Sequence, residues 1–115
     1  MSYKITRINE SYVYEAPGHI DCRTTRLHDP QDVNEGAIIM GLTHFLPGGG
    51  TEFANNAMES IYYIIEGEMT LKTDDGETVL KAGDSFHCGP GTNKCVTNTG
   101  TTSSQMLVAL RNPNA

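Results

Sequence analysis

The chain has 115 residues, a formal net charge of −6 and a sequence pI of about 5.0. Hydrophobic residues make up 37% and charged residues 19%, which excludes a disordered chain or a coiled coil and fits one globular domain. Because no Lys/Arg cluster is present and no apolar run reaches the roughly 18–20 residues of a bilayer span, we expect no nucleic-acid partner and no membrane association. The first ten residues lack the apolar stretch of a signal peptide, so we expect the cytoplasm.

The first part of the chain, residues 1–36, is polar and contains Pro, Gly, Asn and Asp at short intervals. These residues favour turns, so we expect an irregular N-terminal arm that belongs to the same domain as the rest. Two short pieces within the arm, residues 11–14 and 22–25, favour strands. The remainder, residues 37–115, is expected to form the main β-structure.

From residue 37 onward, short β-prone segments alternate with glycine-rich turns. A first strand is expected over residues 37–46 and is expected to end at the Pro47–Gly50 run. Asp75 and Gly76 form a strong tight-turn signal between two of the later strands. No window shows a convincing helical repeat, so the fold class is all-β, as a sandwich or a closed barrel. The later strands are expected over residues 60–65, 68–72, 77–80, 85–88, 94–98 and 105–110.

The cysteines are Cys22, Cys88 and Cys95. An odd number without C-x-x-C spacing argues against a disulfide framework and against a zinc ribbon. We expect reduced thiols without a catalytic role. Cys88 and Cys95 are expected to alternate outward beside His87 and Lys94.

Two spaced stretches between Pro47 and Asn98 resemble the signature motifs of the cupin superfamily. In the first, Gly48 is followed by five residues, Ala54-Asn55-Asn56, three residues, Ser60, six residues and Gly67. In the second, Gly83 is followed by five residues, Gly89-Pro90-Gly91, two residues, Lys94, three residues and Asn98. The 15 residues between Gly67 and Gly83 match the compact spacing of the family.

The resemblance implies a double-stranded β-helix, which is a jelly-roll or cupin barrel, and assembly as a homodimer. The arm is long enough to pair with the sheet edge of a partner and cover it. A glycine framework can persist for folding alone, so the resemblance implies the fold more directly than the function.

The resemblance also implies where a metal would be bound, and this chain differs there. The ligand positions of the family, two His, one Glu and a further His, are occupied by Ala54, Asn56, Ser60 and Lys94. Alanine cannot coordinate a metal, Asn and Ser are weak ligands, and a protonated lysine has no lone pair. We therefore expect no metal and no other cofactor. A displaced divalent-metal site of Glu52, Glu59 and His87 stays open as an alternative, since a β-bulge could re-aim Glu59.

Strand alternation places Ala54, Asn56, Ser60, Tyr62, Lys94 and, in one interpretation, His87 inside the barrel. Lys94 and His87 are the candidate catalytic acid and base. Partial desolvation is expected to lower the pKa of an ammonium, and the unperturbed pKa of an imidazole lies near neutrality. The candidate ligand-binding residues are Asn56, Ser60 and Tyr62, which would orient the ligand. An equally open alternative is that Lys94 extends to the rim and has no special role.

Three functions are compatible with these residues. The first is a metal-independent isomerase or lyase that binds a small polar, carboxylated metabolite. The second is a non-catalytic module that binds or senses such a metabolite. The third is a metal-dependent cupin enzyme, a dioxygenase or isomerase, that uses the displaced ligand set.

Overall fold

The computed structural model describes residues 3–29 and 36–112. Within these ranges it contains ten strands and one short 3₁₀-helix at Ile8–Glu10, which confirms the all-β expectation. No helix in the described ranges is long and apolar enough to cross a membrane. The strands are β1 Tyr12–Tyr14, β2 His19–His28, β3 Ile38–Thr51, β4 Ala54–Asn55, β5 Ser60–Glu66, β6 Glu68–Thr73, β7 Gly76–Lys81, β8 Ser85–Cys88, β9 Asn93–Thr97 and β10 Ser104–Arg111.

The strands form a nearly closed barrel of two layers, the double-stranded β-helix that the motifs predicted. One layer has the order β1-β2-β3-β10-β5-β8, and the other has the order β7-β6-β9 with β4 beside β9. All described pairings are antiparallel, so successive side chains alternate between the interior and the exterior.

Strand β3 joins the two layers, and its length differs from the expectation. The predicted end at Pro47 is wrong, because the strand continues through the glycines to Thr51. Gly50 pairs with Ile20 on β2 and with Thr97 on β9. A Cβ atom on Gly50 would overlap the carbonyl oxygen of Val96 and lie 2.9 Å from the Cα of Thr97. The glycine therefore allows two strands to approach β3 closely where it passes between the layers.

The N-terminal arm is more regular than its composition suggests. Strand β2 has ten residues and pairs with β3 from His19 to His28, with two register shifts. Strand β1 then pairs with β2 and extends the same layer. Backbone pairing to β3 stabilises β2, a strand that the side-chain pattern alone did not indicate.

The interior is divided into a packed core and a cavity. Phe45, Ile64 and Met69 are fully buried and fill one end of the barrel. Tyr62, Val96 and Met106 belong to the core and also line the cavity at the other end. Close packing at one end therefore fixes the floor of the cavity at the other.

The exterior of the β5 layer is apolar. Ile61, Tyr63 and Ile65 point outward from β5 and are 52%, 44% and 43% exposed. Leu107 on β10 lies opposite Tyr63, and Leu42 on β3 lies opposite Leu107. These five residues form a continuous patch, hereafter the outer apolar face.

Candidate functional site

The candidate site is a cavity of about 650 Å³ at the end of the barrel opposite the fully buried core. Its volume is within the range of small-molecule sites, and its lining is mainly apolar. Side chains come from both layers and from the turn between β1 and β2. The polar and charged lining residues are Tyr14, Glu15, His19, Arg26, Thr43, Thr51, Glu52, Asn55, Asn56, Tyr62 and Lys94, and the apolar ones include Ile39, Met58, Val96, Met106, Val108 and Leu110.

Lys94 projects into the cavity from β9. Its ammonium nitrogen lies 5.2 Å from the centroid of the Tyr62 ring. On its other face, Tyr62 stacks on Phe86 with ring centroids 4.5 Å apart and an interplanar angle of 13°. Phe86, Tyr62 and the ammonium thus form three successive layers, and the cation–π contact keeps the positive charge inside the cavity.

A second cation, Arg26, enters the cavity from β2. Its guanidinium carbon lies 4.5 Å from the centroid of the Tyr14 ring. The Nε atom is inaccessible to solvent and has no hydrogen-bond partner. Among residues 3–29 and 36–112, neither Arg26 nor Lys94 forms an ion pair with a carboxylate.

The turn between β1 and β2 forms one wall of the cavity, and two glutamates lie at this wall. The backbone N–H of Glu52 donates to the carbonyl oxygen of Gly18 at 2.8 Å, which attaches this wall to the end of β3. Glu52 and Glu15 both line the cavity. Gly18 has φ of +71°, a conformation that favours glycine, and its Cα faces the Glu52 carboxylate.

Of the predicted ligand-binding residues, Asn56 and Tyr62 line the cavity. The side-chain oxygen of Asn56 accepts a hydrogen bond from the backbone N–H of Met58 at 2.9 Å, so the amide is held in one orientation. Ser60 is 2% exposed and lies behind the cavity wall instead of in it. Its hydroxyl has no hydrogen-bond partner.

His87 is not inside the barrel. It points outward from β8 opposite Ile61, and its Nε2 atom lies 2.6 Å from a carboxylate oxygen of Glu59. His87 and Lys94 therefore do not share one site, contrary to the expectation. Alternation along β8 instead turns Cys88 inward, so the expectation that Cys88 faces outward is wrong.

The displaced metal set is separated by the barrel wall. Glu52 lines the cavity, whereas Glu59 and His87 pair on the exterior. Within the described residues no group of three or more His, Cys, Asp or Glu side chains could hold a metal. At the positions of the family's ligands, Lys94 brings a positive charge and Ala54, its strand partner, brings no donor atom. The residues present do not fit a metal ion.

The Cys88 thiol is close enough to Lys94 to be affected by its charge. Burial raises the pKa of Cys88, and the Lys94 ammonium lowers it by a smaller amount. Burial likewise raises the pKa of Cys22, with a further increase from Asp21. Both thiols are therefore less ionised than free cysteine, which does not suit a nucleophile. None of the three cysteines forms a disulfide.

Sequence reasoning missed the cavity residues from the arm, Tyr14, Glu15, His19 and Arg26. No family motif covers them, and their segment was expected to be irregular. The alternation of Tyr12 and Tyr14 was a weak signal that β1 has one inward face. Arg26 enters the cavity because it pairs with Gly41 of β3, a register that only the folded sheet defines.

Known proteins resemble this chain in sequence and in fold. A β-D-galactosidase of Mycobacterium tuberculosis, Rv1717, is 31% identical over 112 residues, which are 97% of each chain. The polyketide cyclase RemF from Streptomyces resistomycificus superposes with a TM-score of 0.82 at 18% identity, over 96% of this chain and 80% of that one. An RmlC-like cupin from Shewanella frigidimarina superposes with a TM-score of 0.77 at 17% identity, over 96% and 91% of the two chains.

The two structural likenesses concern the fold, since both identities are low. The family assignment rests on sequence. Residues 41–110, from β3 to the end of β10, match the family model described as the cupin domain, and this segment contains both glycine motifs. With its jelly-roll barrel, its spaced glycines and its cavity at one end of the barrel, the chain belongs to the cupin family.

Proposed function

We propose that the barrel binds a small organic acid in its cavity, with the Lys94 ammonium as the anion-binding group. The observation that carries this proposal is the position of that ammonium over the Tyr62 ring, in a mainly apolar cavity and without a carboxylate partner in the described part of the chain. A partly desolvated cation lacks the hydration it has in water, and a ligand carboxylate offsets that loss.

The rest of the lining supports the same ligand class. Asn56 is held by Met58 through its oxygen, so its NH₂ group is left to donate to a polar atom of the ligand. Val96, Met106 and Val108 supply apolar surface for a hydrocarbon portion. The cavity volume of about 650 Å³ accommodates a metabolite of ordinary size.

Lys94 is also the candidate acid or base for a metal-independent isomerase or lyase. Its position in the cavity would bring the amine within reach of a bound acid, which general acid–base catalysis requires. Since His87 lies outside the cavity, the proposal does not use it. A non-catalytic binding module would use the same contacts without converting the ligand.

The test measures the binding of aromatic and aliphatic monocarboxylates, such as benzoate and hexanoate, by calorimetry and by thermal unfolding. We expect Lys94→Gln to weaken binding about tenfold or more, the loss of one charge-assisted hydrogen bond. The matched control is Lys72→Gln, which removes an ammonium 5.6 Å from the Phe53 ring on the exterior and should leave binding unchanged. Equal binding by the wild type and Lys94→Gln would refute the proposal, and NMR of the bound acid would reveal turnover.

A second candidate function, hydrolysis of a β-galactoside, is favoured by two observations. The relative at 31% identity over nearly the whole chain is a β-D-galactosidase, and two glutamates, Glu15 and Glu52, line one cavity. Glycosidases generally use a pair of carboxyl groups, one as acid and the other as nucleophile or base. Glu15 and Glu52 are the residues of this chain that would take those roles.

Release of 4-nitrophenol from 4-nitrophenyl β-D-galactoside tests this candidate. We expect Glu52→Gln and Glu15→Gln each to lower kcat by about 10²-fold or more, because each removes one partner of the acid–base pair. Glu59→Gln, outside the cavity, is the matched control. Activity that survives in both cavity variants, or that is absent from the wild type, would exclude galactoside hydrolysis by this site.

A further inference from the structure

We propose that Arg26 is a second anion-binding point in the same cavity, and that the ligand is therefore a dicarboxylic acid held between Arg26 and Lys94. This inference rests on the proposed binding of an organic acid and narrows its substrate class. It concerns a residue outside both glycine motifs and outside residues 41–110, which match the cupin domain.

The first argument is the unmet hydrogen-bonding capacity of the guanidinium. Arginine carries five N–H donors in a planar fork and keeps its charge at all ordinary pH values. In this structure the Nε atom of Arg26 is inaccessible to solvent and has no acceptor. Because the Nε atom itself is out of reach of a ligand, a carboxylate would meet the other N–H donors of the Arg26 fork, which match it in both shape and charge.

The second argument is that Arg26 is held in place without being neutralised. The guanidinium lies over the Tyr14 ring, with the guanidinium carbon 4.5 Å from the ring centroid. Tyr14 in turn is anchored because its carbonyl oxygen accepts a hydrogen bond from the Thr24 hydroxyl. A cation–π contact uses none of the N–H donors of the guanidinium in a hydrogen bond, so the contact with Tyr14 does not compete with a carboxylate for them.

The third argument is that the two cations are on different layers of the barrel. Arg26 is on β2 and pairs with Gly41, whereas Lys94 is on β9 and pairs with Ala54 on β4. Each is placed against its own tyrosine, and both line one cavity. Two separated cations with apolar residues such as Val108 and Met106 in the same lining suit a ligand that is charged at two points and apolar elsewhere.

The carboxylates of the cavity do not remove this need. Glu15 and Glu52 line the same cavity, yet in the described part of the chain neither is in ion-pair contact with Arg26 or Lys94. His19 is engaged otherwise, since its Nδ1 lies 3.0 Å from the carbonyl oxygen of Pro17. Both cations are therefore available to anionic groups of a ligand.

The experiment compares linear dicarboxylates from succinate to suberate with monocarboxylates of the same carbon number, by calorimetry on the full chain. We expect one or more dicarboxylates to bind at least about tenfold more tightly than the matched monocarboxylate. Arg26→Gln should abolish this preference and leave monocarboxylate binding in place. The matched control is Arg23→Gln on the same strand, whose exposed side chain lies outside the cavity and should leave the preference unchanged.

The outcomes distinguish failure of dicarboxylate binding from failure of organic-acid binding as a whole. If monocarboxylates bind as well as dicarboxylates, or Arg26→Gln keeps the preference while Lys94→Gln weakens all binding, the diacid inference is overturned and the acid-binding proposal stands. If no acid of the panel binds the wild type, both are overturned. Arg26→Lys keeps the positive charge and loses the planar fork, so it should retain only part of the preference for dicarboxylates. Partial retention would show that the loss in Arg26→Gln does not come from misfolding.

Discussion

The side-chain amide of Asn98 donates a hydrogen bond of 3.1 Å to the carbonyl oxygen of Phe45, which precedes it by 53 residues. The same amide donates to the carbonyl oxygen of Thr102 at 2.8 Å, and its oxygen accepts from the backbone N–H of Gly100 at 3.0 Å. Asn98 is 1% exposed, so these bonds are made away from water. One side chain thus connects the end of β9, the following turn and the middle of β3.

Asn98→Ala should lower the free energy of unfolding by about 2–4 kcal/mol, because it leaves buried carbonyl and N–H groups without partners. Chemical denaturation measures this loss. Asn93→Ala is the matched control, since the Asn93 side chain bonds to the exposed residues Asp74 and Asn55 and its loss should change stability by less than about 0.5 kcal/mol. Equal effects of the two substitutions would show that Asn98 does not stabilise the barrel through this network.

Gly50→Ala should also destabilise the protein, by about 2–4 kcal/mol, because the added methyl group would overlap the backbone of Val96 and Thr97. Gly89→Ala is the appropriate comparison, since nothing lies within 4 Å of its added Cβ. The melting temperatures of the two variants measure the difference. Equal melting temperatures would mean that β9 moves away from β3 at little cost.

Phe86→Leu should loosen the layered arrangement behind Lys94. Loss of the stacked pair with Tyr62 should lower the free energy of unfolding by about 1–2 kcal/mol and weaken organic-acid binding in the cavity. Phe53→Leu is the matched control, because Phe53 is exposed and lies outside the cavity lining. Unchanged acid binding in Phe86→Leu would indicate that Tyr62 keeps its position without the stack.

Stability should fall at alkaline pH in part because of Cys88. Its pKa is raised by burial, so the folded state holds the thiol proton more tightly than the unfolded state. The contribution of this thiol is fully present below the unfolded pKa of about 8.5 and is lost as the pH rises through the higher folded pKa. Denaturation between pH 7 and 10 should show a steeper decline for the wild type than for Cys88→Ala. Parallel plots of stability against pH for the two proteins would show that the Cys88 thiol does not contribute to the decline.

We propose that two copies of the chain associate through the outer apolar face. The chain carries a net charge of −6, so two copies meet with the least added repulsion at an uncharged surface. The five residues of this face carry no charge, and three of them are more than 40% exposed. An apolar patch shared by neighbouring strands is typical of an interface.

Ile61→Glu should therefore convert a dimer into a monomer, as measured by sedimentation velocity at micromolar concentration. Val79→Glu, at a residue that is also 52% exposed but lies on β7 of the other layer, should leave the assembly unchanged. A monomeric wild type, or a dimer that persists in Ile61→Glu, would contradict this interface.

The fold was predictable because its signals are local. The hairpin of β6 and β7 was predicted, but its two-residue turn is Asp74-Asp75, one residue earlier than expected, and Gly76, with φ of +124°, is the first residue of β7. Strong alternation also predicted β6, whose apolar residues Met69 and Leu71 both pack in the core. Strand β2 was not recognised at its full length, because its stability comes from pairing with β3 and not from its own pattern.

The candidate site was predictable only in part. Lys94, Asn56 and Tyr62 line the cavity because the motif spacing fixes their positions on β9, beside β4 and on β5. His87 was assigned a possible inward face, and a shift of one residue along β8 reverses that facing. Arg26 and Glu15 could not be found from spacing, since their position depends on how the arm pairs across the barrel mouth.

The turn between β1 and β2, with the strand residues Tyr14 and His19 on either side of it, supplies residues 14–19 of the cavity lining, and these residues precede the segment 41–110 that matches the cupin domain. The barrel and one wall of its binding cavity are thus separate units of sequence. Substitutions or insertions in this turn alter the shape and charge of the cavity without disturbing the core around Phe45 and Ile64. The wall of the cavity and the segment that matches the cupin domain are therefore open to change independently of each other.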